Sequence, residues 1–101
     1  MNVAQVALRT AIAETLNKLG QLFLVRNQPS EAVEAHLRAL TLARQTHSPR
    51  DEADAIEGAG RCAMHLGDRR DAVEKLQQAR AIYERIGALH AARAAADLIK
   101  D

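Results

Sequence analysis

From Val3 to Arg26 apolar residues recur at Val3, Val6, Leu16, Leu19, Phe23 and Leu24, in a stretch with no proline and one glycine. These spacings suit one face of a helix and not the alternation of a strand, so the pattern predicts one long helix. Gly20 sits inside it, where glycine costs roughly 0.5–1 kcal/mol relative to alanine, and it is read as a point of close approach by a neighbouring helix. Pro29 suits the first turn of a second helix, capped by Gln28 or Asn27 and running to about Thr46. Ser48, Pro49 and Asp51 have the spacing of a capping box with proline at the first helical position, and start a third helix that ends near Leu66. Gly67 and Asp68 make the next break; Asp68 caps a fourth helix, with Asp71 repeating the box-like spacing, and Gly87 ends it by adopting the left-handed conformation. A fifth helix follows from about Leu89 to Lys100. His90, Arg93, Asp97 and Lys100 lie along one edge of it, with alanines, Leu98 and Ile99 elsewhere, so its wide apolar face reads as a lid.

The pattern also repeats. When Ala13–His47 is set against Ala53–Gly87 without a gap, Ala13, Gly20, Ala32, Val33, Glu34 and Ala39 fall on identical residues 40 positions later, and Leu16 with Ile56, Glu31 with Asp71 and Leu42 with Ile82 are conservative pairs. A fixed period of this size means stacked helical units, none of which can bury its apolar face alone. The expected fold is therefore all-α: a right-handed antiparallel helical-repeat stack of about five helices. It is expected to form a single domain over residues 1–101, with one repeat at about 10–47, a second at about 50–87 and a capping helix over 88–101. Each unit's helices are expected to pack across small residues, Gly20 with Ala32 and Gly60 with Ala72.

Composition supports helices and removes several function classes. Alanine, the best helix former, occurs 21 times. The 14 basic and 13 acidic residues leave a formal charge of +1, which supplies no net field to draw in nucleic acid or an anionic membrane. Phe23 and Tyr83 are the only aromatics, too few for a base-stacking platform. A lone cysteine, Cys62, rules out an internal disulfide framework and suits a reducing compartment. The N-terminus lacks the features of a signal peptide and no apolar run is long enough to span a bilayer, so a cytoplasmic location is expected.

These residues resemble the tetratricopeptide repeat, a helix-turn-helix unit with a usual length of 34 residues. Leu19-Gly20 and Ala59-Gly60 match its Leu-Gly pair, and Ala32, Ala39, Ala72 and Ala79 match its small residues. The tyrosine of the pattern is Phe23 in the first copy and Ala63 in the second, its later aromatic is His36 and then Leu76, and the closing proline is absent because each second helix is longer. The 40-residue spacing is similar to the repeats in sensor regions of actinobacterial transcription regulators. The resemblance implies a partner-binding concave face formed by Glu14, Asn17, Gln21, Leu24 and Val25 in the first unit and by Asp54, Glu57, Arg61, Met64 and His65 in the second. Chaperone-binding members grip a carboxylate with cations, whereas this set holds Glu14, Asp54 and Glu57 beside Arg61 alone. A basic or amphipathic helical segment complements it better.

Other chemistry finds little to stand on. Cys62 and His65 are three apart on one helix, but zinc needs three or four ligands and His36, His47 and His90 lack ligand spacing. No metal or cofactor is expected. Cys62 reads as a small buried hydrophobe and His36 as a satisfied core histidine. Nucleophile–base sets and glycine-rich phosphate loops are missing, so no enzyme is expected. The reading is a protein–protein interaction module that binds a peptide or partner helix, as part of a larger bacterial regulatory protein. The alternative is a structural or oligomerisation segment with no ligand of its own. An uncovered apolar end at Val3, Val6, Ala7 and Leu8 suggests a homodimer through the first helix.

Overall fold

The computed structural model describes residues 1–100. Its five helices are α1 (Val3–Val25), α2 (Pro29–Gln45), α3 (Pro49–His65), α4 (Arg69–Arg85) and α5 (Leu89–Ile99), and the described residues contain no strand. Asp101, the last residue of the expected capping segment, lies outside the described residues.

The breaks between helices recur every 20 residues. Asn27, His47, Gly67 and Gly87 all have positive φ, between 52 and 84°. Each sits just past a helix end, and each break is closed by the same two backbone bonds. At the first, the amide of Gln28 donates to the carbonyl of Phe23 and that of Asn27 to the carbonyl of Leu24; the pairs recur at Ser48 with Ala43, Asp68 with Ala63 and Ala88 with Tyr83. This Schellman geometry satisfies carbonyls that the helix end leaves unpaired. Glycine fills the left-handed position twice without strain, and Asn27 and His47 hold it as two of the residue types that tolerate it better than most.

The helix starts differ more. Asp68 caps α4 as its spacing predicts, accepting from the amide of Asp71 at 3.2 Å. Ser48 occupies the cap position of α3 but its hydroxyl donates to the Asp51 carboxylate at 2.8 Å, so this box closes side chain to side chain. Gln28 precedes α2 without a side-chain cap, while Asn27 is used in ending α1. α1 has a full capping box, whose Asn2-to-Gln5 spacing is itself a start signal in the sequence. Asn2 accepts from the amide of Gln5 at 2.8 Å, and the Gln5 side chain accepts from the amide of Asn2 at 3.1 Å.

Each helix packs on the next in sequence, and α1 also touches α3, which makes a stack 44 × 30 × 18 Å in extent. The interior is built from small side chains. One cluster joins Ala53, Ile56, Ala79, Tyr83 and Ala92, a second joins Ala13, Leu16, Ala39 and Ala55, and Leu40 packs against both. Ala32 and Ala72 are fully buried, but the closest neighbours of the two repeat glycines lie one turn further along. A Cβ on Gly20 would sit 2.5 Å from Nε2 of His36, and one on Gly60 would sit 3.1 Å from Cγ of Leu76. The glycines thus make room for the large residues at 36 and 76, one turn beyond the alanines expected opposite them. At the other end Ala92 and Ala95 of α5 are buried, while His90, Arg93, Asp97 and Lys100 face water.

Candidate functional site

A furrow runs along one side of the stack, between α1 and α3 and on toward α5, and it consists of three hollows that share residues. The middle one, about 420 Å³, is lined by Gln21, Leu24 and Val25 from α1, His36 from α2, and Asp54, Glu57, Gly58 and Arg61 from α3. Gln21 and Asp54 also belong to a hollow of about 360 Å³ with Glu14, Asn17, Lys18, Arg50 and Asp51. Arg61 also belongs to a hollow of about 250 Å³ with Met64, His65, Leu76 and Leu98. All ten residues that the resemblance assigned to the concave face line this furrow. Their placement follows from the 40-residue period, which puts equivalent residues of α1 and α3 on the same side of the stack.

Contacts within the furrow separate these ten into different roles. Asn17 is buried at its floor and is committed inward: Oδ1 accepts from Nδ1 of His36 at 2.9 Å, and Nδ2 donates to the backbone carbonyl of Asp51 at 3.4 Å. Asp54 is also anchored, because Oδ1 accepts both from the Tyr83 hydroxyl and from Nε of Arg50, the latter at 3.3 Å. The Arg50 guanidinium lies 5.4 Å from the centre of the Tyr83 ring, a cation–π contact. Burial pushes the Tyr83 phenol up, with the bond to Asp54 adding to it, so Tyr83 stays a neutral donor. Glu57 pairs with Arg61 at 3.2 Å one turn along α3. His65 Nε2 lies 2.8 Å from Oδ1 of Asn27, tying the end of α3 to the turn before α2.

What remains free to meet a partner is apolar at Leu24, Val25 and Met64 and polar at the exposed Glu14 and Gln21. Val25 is 85% exposed and Leu24 and Met64 are half-buried. Lys18 and Arg50 enter the furrow from positions outside the assigned face, so Arg61 is not its only cation. The furrow is therefore less acidic than the residues taken from sequence implied. Spacing alone also left out Leu98, which α5 brings across α4 to the end of the furrow, and Gly58, whose lack of a side chain makes room for His36.

Among the described residues no group of three His, Cys, Asp or Glu is placed to hold a metal ion, and no helix is long and apolar enough to cross a membrane. Cys62 is free and buried, and burial pushes its thiol up, which makes the reactive thiolate scarcer.

A family model described as tetratricopeptide repeat matches residues 11–85. Neither curated proteins nor solved structures give a match to the chain.

Proposed function

Since the chain belongs to the tetratricopeptide repeat family, whose members generally mediate protein–protein interaction, we propose that its furrow between α1 and α3 is the docking site for a segment of another polypeptide. The observation that carries this reading is the continuity of the three hollows, with Leu24, Val25 and Met64 presenting apolar surface between paired charges. Apolar surface rimmed by polar groups is a usual form of a recognition site. The occupant that fits is an amphipathic helix, its apolar edge along those three residues and its polar edge carrying both signs of charge to meet Glu14, Lys18 and the Glu57–Arg61 pair. The reading is one of binding and not of catalysis. The 40-residue repeat spacing supports placing the module in a larger bacterial regulator, and the free buried thiol of Cys62 suits the cytoplasm.

A photo-crosslinking residue placed at Val25 or Met64 in the source cells, with Glu34 and Glu74 as outer-face controls, tests this. One polypeptide captured from the furrow positions and not from the controls is expected. Its affinity for the purified chain should then fall at least about fivefold in Arg61→Ala and Met64→Ala, with helicity unchanged. Equal capture from both faces, or wild-type affinity in both variants, would remove the furrow from consideration.

A further inference from the structure

α1 is apolar on two sides. Its inner side carries Ala13, Leu16 and Gly20 into the core. Its outer side carries Leu8, Ile12, Leu19 and Leu22, which are 62, 40, 38 and 52% exposed, with exposed Thr15 among them. A helix that is apolar all round is normally covered on both faces. The repeat shows what the outer positions do when they are covered. Forty residues on, Ile12 corresponds to Glu52, which pairs with Arg44 of α2 at 3.1 Å, and Thr15 corresponds to Ala55, which is buried in one cluster with Ala39 of α2. Leu19 and Leu22 correspond to Ala59 and Cys62, both buried. The seat that a preceding helix uses on α3 is thus a row of small residues and one ion pair. On α1 the same row is made of leucine and isoleucine, too bulky for the close approach that α2 makes to α3 and lacking the acid that would meet an arginine like Arg44.

A row of large apolar knobs fits another such row. The positions 8, 12, 15, 19 and 22 are spaced alternately by four and three residues, the seam of a coiled coil, and Leu8 and Leu22 lie seven positions to either side of Thr15, so a seam centred there carries leucine at both ends. The seam has no charged residue, so a second copy meets no repulsion of like charges. Its one polar member, Thr15, already donates its hydroxyl to the carbonyl of Ala11 at 2.9 Å, so burying it strands no donor. We propose that two copies of this chain pair through the outer face of α1, antiparallel across a two-fold axis passing near Thr15. The furrow lies on another side of α1, so each copy in such a dimer keeps its furrow open. This surface is centred well along the helix and not at its N-terminal tip, and Val6, which is half-buried, is outside it.

Sedimentation of the full chain from low to high micromolar concentration tests the pairing. Wild type should move from one to two chain masses, and Leu19→Glu should stay at one chain mass while remaining helical. Thr15→Cys is expected to form a covalent dimer under mild oxidation, whereas Leu8→Cys, far from the axis in an antiparallel pair, should not. A wild-type chain that remains a monomer throughout overturns the proposal, including the case in which a preceding helix of a longer protein is the true occupant. So does a dimer unaffected by Leu19→Glu, and crosslinking of Leu8→Cys without Thr15→Cys overturns the antiparallel arrangement. Arg61→Ala, a change in the furrow, should leave the dimer intact, which keeps the outcome separate from that of the docking reading.

Discussion

Gly58→Ala is expected to destabilise the chain by about 2–4 kcal/mol, even though alanine favours a helix interior by about 1 kcal/mol over glycine. The reason is the position of His36. Its ring lies between Gly20 of α1 and Gly58 of α3, and a Cβ on either glycine would run into it. The ring cannot step aside, because one glycine backbone blocks each way and Nδ1 is held by Asn17. A change of this size corresponds to a fall in melting temperature of roughly 10–20 °C for a chain of this length. Gly60→Ala provides the contrast. Its nearest neighbours are Cγ of Leu76 at 3.1 Å and Cβ of Lys75 at 3.3 Å, tight distances that a small adjustment relieves, so the helix preference should offset most of the cost. In a His36→Ala background, Gly58→Ala should become neutral or mildly stabilising. Urea unfolding of the four combinations decides this, and an equal cost for Gly58→Ala with and without His36 would show that the ring is not the cause.

The same residue shows where reading the chain by pattern stops. The helices, their order and all four of their breaks are visible because proline, glycine and capping residues act locally, within one turn of where they stand. The 40-residue period carries further. It places residues of α1 and α3 on one side before any coordinates are known, and this is why the ten assigned residues meet in one furrow. Pairings that depend on size and direction are not visible in this way. Gly20 and Gly60 align, but one faces histidine and the other leucine, and only the histidine needs the additional glycine at position 58. Asn17 and Asp54 look like surface polar residues in the pattern, yet Asn17 is spent on His36 and Asp54 on Tyr83. Tyr83 has no aromatic counterpart one repeat earlier, where Ala43 stands, so periodicity offers no hint of that bond. The outer face of α1 is hard to read for a related reason. Exposure there depends on which neighbours are present, and the sequence suggested only the first turns, while the apolar seam continues to Leu22.

Acidification should weaken the fold through His36. The ring is buried, and its pKa is lowered from 6.5 to about 4, chiefly by loss of solvent, with the nearby Asp54 carboxylate opposing the shift. In the unfolded chain the same ring takes up a proton near pH 6.5. Between those two values the unfolded state binds a proton that the folded state refuses, so stability rises with pH across that window. The contribution is fully present above about pH 6.5 and is lost as the pH falls toward 4, and the whole difference amounts to at most about 3 kcal/mol. The physical cause is the site itself. A charged ring would have to sit between two glycine backbones with Asn17 as its one polar side-chain partner, and Asn17 is already bound to the carbonyl of Asp51. Leucine, which holds the equivalent place at Leu76, removes the titrating group while keeping an apolar side chain there. Urea midpoints measured from pH 7.5 to 4 should therefore fall steeply for wild type and much less for His36→Leu. If the two chains lose stability in parallel, the acid sensitivity comes from other groups and His36 is a packing residue only.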